Sequence, residues 1–282
     1  MLVRSYLYVP GNRPELMGKA ARSGAHAVIL DLEDAVPAAE KIGAGATVRA
    51  FLAALPAIRV FVRVNGGEAA LADLGRIGVR GLAGVLLPKA EDPDLVRAID
   101  QALGESEREA GLEAGSVIIQ PLIESVVGLF GVDALVQASG RIRRVAFGAG
   151  DFVRDIRALT TASRTETLYA RMHLVARSRL LKLGPPVAHV FSAIRDLEGL
   201  RRACEEDRAL GFAARSCIHP SQVPIINAAF APSEDEVALA RRVLAAYAEA
   251  TSLGRGSLLL ADGVFIDEAV ALRAQDLLDS VA

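Results

Sequence analysis

Residues 25–36 read AHAVILDLEDAV. The run is apolar through Val28, Ile29 and Leu30, and then places Asp31, Glu33 and Asp34 within four positions. A segment that is apolar along its whole length, rather than alternating, is the mark of a strand covered on both faces, as in a parallel sheet wrapped by helices. Carboxylates at the end of such a strand are costly to bury unless each meets a cation, a donor or a metal. The stretch therefore predicts a buried parallel strand with a charged site at its carboxyl end.

Seven further runs extend the pattern: SYLYVP (5–10), RVFVRVN (59–65), LAGVLLP (82–88), SVIIQPLI (116–123), RRVAFGAG (143–150), PVAHVFS (186–192) and AARSCIH (213–219). Helical segments lie between them. PAAEKIGAGATVRAFLAAL opens with Pro37 in a first-turn position. TETLYARMHLVARSRLLKLG is stopped by Gly184 and the Pro185-Pro186 pair. Strands alternating with helices in this number predict a (β/α)8 TIM barrel. An open doubly wound sheet is the rival, but its glycine-rich first turn is missing, since PGNRPE is not G-x-G-x-x-G. The barrel is expected over residues 1–230. Residues 231–282 are expected to form a C-terminal helical extension, a lid or subunit-bridging arm, in which Ser233 and Glu236 make a capping box.

Composition narrows the functional classes. Of the 282 residues 52% are hydrophobic and 23% charged, which excludes a disordered chain. Lys and Arg total 32 against 34 for Asp and Glu, so nothing drives non-specific nucleic-acid binding. No apolar run approaches the roughly 18 residues that cross a bilayer. The start, MLVRSYLYVPGNRP, lacks the features of a secretion signal. Cys204 and Cys217 are too far apart for a zinc knuckle or a redox pair. The expectation is a cytoplasmic protein with buried free thiols and no membrane or nucleic-acid partner.

In a TIM barrel, chemistry sits at the carboxyl ends of the strands. The polar residues found there are Asp31, Glu33 and Asp34, then Arg63 and Asn65, Lys89, Glu124, Asp151, His189 and Ser192, and His219. Glu124 leaves PLIES and Asp151 leaves FGAGD, with Gly148 and Gly150 giving room beside it. Two carboxylates from neighbouring strands, without His or Cys, suit a hard cation such as Mg2+, whose remaining positions go to water and substrate oxygens. The competing reading is a pair of acids bridged to rim arginines. Arg63 interrupts an apolar run and must face a carboxylate or an oxyanion. Two roles stay open for it, neutralising the acids of DLED or holding a substrate carboxylate or enolate. By strand alternation Asp31 and Glu33 share a face and support metal-bound water or rim cations, while Asp34 points elsewhere and caps a helix. His26 and His173 read as structural, His189 as a hydrogen-bonded core residue, and His219 as fixing a turn.

Taken in order, RSYLYVPGNRPELMGKA, AVILDLEDAV, VRVN, LLPKAED, PLIES, FGAGD, LGF…IHPSQ and ADGVFID span nearly the whole chain. Together they resemble the citrate lyase beta subunit-like branch of the HpcH/HpaI aldolase superfamily, whose relatives include malyl-CoA and citramalyl-CoA lyases. The resemblance implies a barrel with a C-terminal extension, assembled as a homotrimer or a hexamer. It implies Mg2+-dependent cleavage or formation of a C–C bond beside an acyl thioester, with a 2-keto acid as the partner. It maps the metal onto Glu124 and Asp151, with Glu124 also meeting substrate, and the substrate-binding, enolate-stabilising arginine onto Arg63. Contacts to coenzyme A fall on Tyr8, Arg13 and Lys19, and an acid/base group delivered by a neighbouring subunit falls on Asp267. The alternatives on the same scaffold are an acyl-CoA thioesterase, an aldolase acting on free pyruvate, and a non-catalytic CoA-binding or complex-forming subunit. Two positions depart from the family pattern. Gly45 stands where an arginine is usual after DLEDAV, which removes a cation beside the acidic strand end. Ala214-Arg215 replaces Gly-Lys, which strains the backbone if that glycine needs positive φ.

Overall fold

The computed structural model describes residues 3–280. Eight parallel strands close into a barrel in chain order: β1 Ser5–Pro10, β2 Ala27–Asp31, β3 Arg59–Arg63, β4 Leu82–Leu87, β5 Ile118–Ile123, β6 Ala146–Phe147, β7 Val187–Ala188 and β8 Ala214–Cys217. Each coincides with one of the eight apolar runs. Every successive pair is parallel, and β8 returns to β1 through Ser5↔Arg215, so the closed sheet has no exposed edge.

Alternation along the strands sorts the core into two layers. Leu7, Val9, Val28, Leu30, Val60, Val62, Val85, Leu87, Ile119 and Ile123 pack outward against the helices in one continuous cluster. The intervening residues fill the barrel, where Tyr6 meets Phe61 edge-on at 5.3 Å. Gly84 makes room for that ring, since a Cβ there would fall 2.6 Å from Phe61 Cε1. The strands are therefore largely apolar on both sides, with Ser5, Gln120, Arg215 and Ser216 as buried polar exceptions.

Four elements differ in their bounds from the sequence reading. Strands β6 and β7 shrink to two residues each. After β6 the chain turns at Gly148 straight into a helix, Ala149–Asp155, and before β7 the Pro185-Pro186 pair has no N–H groups to give a ladder. Pro37 precedes a 3-10 turn, Ala38–Glu40, and the helix proper is Lys41–Ala53. The helix Leu168–Leu180 ends before Gly184, and Lys182 takes the left-handed conformation with φ 58°.

The substituted β8 is accommodated without strain. Ala214 is an ordinary strand residue outside the positive-φ region, so no glycine is needed there. Arg215 is fully buried and points at Asp207, on the helix Leu197–Leu210; it also donates to the His189 carbonyl at 2.8 Å. Asp207 also receives Arg171 at 2.8 Å and Arg164 at 3.2 Å, while Glu206 takes the outer edges of both. This cluster ties β8 to two helices and to the loop before them. His189 lies beside it, half-buried, with Nδ1 enclosed and without a hydrogen-bond partner; desolvation and then the charge of Arg215 keep its pKa well below the usual imidazole range. The sequence reading had it hydrogen-bonded.

The chain divides into two compact units, Arg4–Phe230 and the residues from Ala231 onward. In the second, the helices Glu234–Ser252 and Glu268–Asp279 pack around Ala240, Val243, Ile266 and Ala274. Ser233 and Glu236 form the reciprocal capping box, and the stretch LGRGSLLLADG (253–263) leads through a small hairpin pairing Leu258–Leu259 with Phe265–Ile266. Among the described residues no helix is long and apolar enough to cross a membrane. Cys204 and Cys217 are buried free thiols, their pKa values pushed up by burial.

Removing one partner of a buried ion pair leaves an uncompensated charge and costs about 3–5 kcal/mol. Asp207→Asn strands the buried Arg215, while Arg164 and Arg171 keep Glu206, and is expected to lower barrel stability by that order in urea unfolding; Arg201→Ala, in exposed ion pairs on the same helix, is expected to leave the midpoint nearly unchanged.

Candidate active site at the barrel mouth

Register places the charged residues side by side. Asp31, the last residue of β2, lies opposite Arg63, the last of β3. The contact is bidentate, Nε to Oδ1 at 2.7 Å and Nη2 to Oδ2 at 2.6 Å, the geometry that matches guanidinium to carboxylate best. Asp31 also accepts the N–H groups of Glu33 and Ala35, so it, and not Asp34, caps the following turn. Arg63 Nη1 faces Glu33 Oε2 at 3.0 Å as an ion pair without a hydrogen bond, and it donates to Asp34 at 3.3 Å. Asp34 thus shares the cluster instead of pointing away, although its side chain is 63% exposed. Of the two roles open to Arg63, this structure displays the neutralising one. Burial works against its charge, but pairing with Asp31 outweighs burial and holds its pKa above the ordinary value.

Lys89 follows β4 in a left-handed conformation, φ 48°. Its backbone N–H donates to Glu124 Oε1 at 2.7 Å, and its ammonium pairs with Glu33 Oε1. Glu124 leaves β5 beside Gly148, because Ile123 pairs with Phe147. A Cβ at Gly148 would stand 2.6 Å from Glu124 Oε2. Asp151, on the first turn of Ala149–Asp155 and not on a strand, is half-exposed and bridges to Arg154 at 3.0 Å. Burial pushes the Glu124 carboxyl up to about 7; the charges of Asp151 and Glu33 add to this and the Lys89 N–H opposes it. Among the described residues no group of three or more His, Cys, Asp or Glu side chains is arranged around a metal. Glu124 and Asp151 alone form the candidate donor set. Two carboxylates with an oxygen kept open by a glycine fit Mg2+, which takes one or two protein carboxylates.

The residues mapped to coenzyme A separate. Tyr8 is turned into the mouth, its ring 5.2 Å from the Arg63 guanidinium carbon. Burial raises its phenol pKa, Arg63 opposes, and Asp31, Glu124 and Glu33 add to the rise. Arg13 and Lys19 are exposed on the turn and helix after β1. Asp267 belongs to the C-terminal unit, where it caps Glu268–Asp279 through Val270 N–H at 3.0 Å. His219 accepts from Ser221 and fixes its turn, and His26 accepts from Arg4 N–H. A network behind the acids was not foreseen: Lys41 to Asn65, Asn65 to Asp73 at 2.7 Å, Asp73 to Arg76 at 3.1 Å. The Arg76 stem lies 3.3 Å from where a Gly45 Cβ would be, so the space left by the missing arginine is filled from another helix. Gly45 was the signal that something else occupies that space.

A folded-state pKa above that of the unfolded chain means the native state binds the extra proton, so stability falls as pH rises from about 4.5 through 7. In EDTA, the thermal midpoint is expected to rise between pH 8 and pH 6, and Glu124→Gln is expected to flatten that rise. Equal slopes in both proteins would contradict the burial of an uncompensated Glu124.

The HpcH/HpaI aldolase/citrate lyase family matches residues 4–220. A citrate lyase subunit beta-like protein of Deinococcus radiodurans is 33% identical over 288 residues, covering 100% of this chain and 98% of the relative. A (3S)-malyl-CoA thioesterase of Cereibacter sphaeroides is 32% identical over 277 residues, covering 94% and 89%. Among solved structures, CitE from Mycobacterium tuberculosis, in complex with magnesium, acetoacetate and coenzyme A, superposes with a TM-score of 0.79 at 28% identity, covering 98% of this chain and 97% of that one.

Proposed function

We propose that this chain, which belongs to the HpcH/HpaI aldolase/citrate lyase family, is a Mg2+-dependent carbon–carbon lyase that cleaves or forms a hydroxyacyl thioester from a 2-keto acid. The observation that carries the reading is Glu124, with one oxygen on the Lys89 N–H and the other in the space left by Gly148, beside Asp151. A structural relative that holds magnesium and coenzyme A supports the same cofactor and thioester here.

Glu124 and Asp151 would hold Mg2+, which supplies polarisation of the keto-acid carbonyl when bound. Arg63 stabilises the enolate oxygen that forms as the bond beside the thioester breaks. Asp34, its longest and most exposed partner, is the one that yields to the incoming oxyanion. Tyr8 lies against the guanidinium and keeps it aimed into the mouth. Asp267, delivered by the C-terminal extension of a neighbouring subunit in a homotrimer or hexamer, would move the proton of the methyl carbon. Arg13 and Lys19, exposed after β1, suit the phosphates of coenzyme A.

Thioester hydrolysis is the second reading, favoured by the malyl-CoA thioesterase relative, which shares as much identity as several citrate lyase beta subunits. Product analysis separates the two: a lyase releases a keto acid and a shorter acyl-CoA, a thioesterase releases free coenzyme A. Glu124→Gln and Asp151→Asn are each expected to lose Mg2+-dependent turnover by a factor of 100 or more. Full activity in either variant would refute the metal assignment.

A further inference from the structure

Lys89 is a non-glycine residue in the left-handed region, an uncommon conformation that persists where its surroundings over-determine it. That turn lets one residue make two contacts. Its N–H meets Glu124 Oε1 at 2.7 Å, and its ammonium reaches back to Glu33 Oε1. The other oxygen of Glu33 faces Arg63 at 3.0 Å, so Glu33 is held between two cations. Glu33 is thereby engaged at both oxygens and Glu124 at Oε1, which leaves Glu124 Oε2 and Asp151, whose partner here is the exposed Arg154 at 3.0 Å.

We propose that Lys89 is a positioning residue that fixes which carboxylates a divalent cation can take: by holding Glu33 and one oxygen of Glu124, it offers the cation only Glu124 Oε2 and Asp151. The remaining positions of the ion then stay open to substrate oxygens. This rests on reading Glu124 and Asp151 as the metal pair. The lysine's side chain is 47% exposed, and packing alone does not require an ammonium at such a place. Without it, Glu33 turns to the cation as a third carboxylate, and the mouth loses a positive charge. The cation binds tighter and the anion weaker.

That opposition of signs separates the proposal from a structural role, which would weaken both. Lys89→Met keeps the stem and removes the charge; Lys89→Gly removes the charge and tolerates the left-handed backbone. Mn2+ is titrated by electron paramagnetic resonance, and pyruvate by calorimetry at saturating Mg2+. Both variants are expected to bind Mn2+ at least threefold tighter and pyruvate at least tenfold weaker than the parent protein. Mn2+ affinity equal to or below the parent's, or pyruvate affinity within twofold, overturns the role of Lys89 alone, provided Glu124→Gln abolishes Mn2+ binding. If Glu124→Gln binds Mn2+ like the parent, the metal pair itself is wrong and the role of Lys89 falls with it.

Discussion

Carboxylates crowd the ends of β2, β5 and the turn after β6, and their mutual repulsion is the constraint on everything built there. Asp31, Glu33 and Asp34 converge on one guanidinium, with the bidentate Asp31–Arg63 pair at the centre. That pair exists because β2 and β3 end in register, so the closed sheet places charge against charge. It holds the turn after β2 through Asp31 and leaves Glu33 free to meet Lys89. Arg63 is therefore already neutralised, and under the proposed function a substrate oxyanion would compete with protein carboxylates for the same N–H groups. Such competition keeps the guanidinium oriented at the expense of some binding strength, a familiar trade in sites that must release product.

The frame itself carries relatives with different outcomes. A citrate lyase beta-like protein and a malyl-CoA thioesterase match this chain almost equally along nearly its whole length. Under the proposed function the barrel mouth would hold and polarise a keto acid and steady an enolate. On the proposed reading, the choice between releasing a shorter thioester and hydrolysing it would turn on whether water reaches the thioester carbon.

Much of the barrel was legible because parallel strands covered on both faces must be apolar throughout, and the eight runs announce themselves. The placing of Arg63 and Glu124 at the ends of β3 and β5 was legible because each is a charge that interrupts or follows such a run; Asp151 falls instead on the helix after β6. Strand length was not legible where turn chemistry cuts it short, at Gly148 and at Pro185-Pro186. Nor was the cluster of Arg164, Arg171, Arg215 with Asp207, since its members are polar residues on helix and strand faces that look solvated in one dimension. Asp34 was misplaced because alternation was extended past the end of β2 into a turn, where the period of two no longer holds. The left-handed backbone at Lys89 has no sequence signature, because lysine gives no hint of it.

Gly148 acts through what it lacks. Truncation experiments ask what a side chain contributes by shortening it, and this position has nothing left to shorten. A scan that replaces residues by alanine would here be an addition, one methyl set against a carboxylate oxygen 2.6 Å away. Importance of that kind is negative in shape, a reserved vacancy, and surveys built on deletion overlook it.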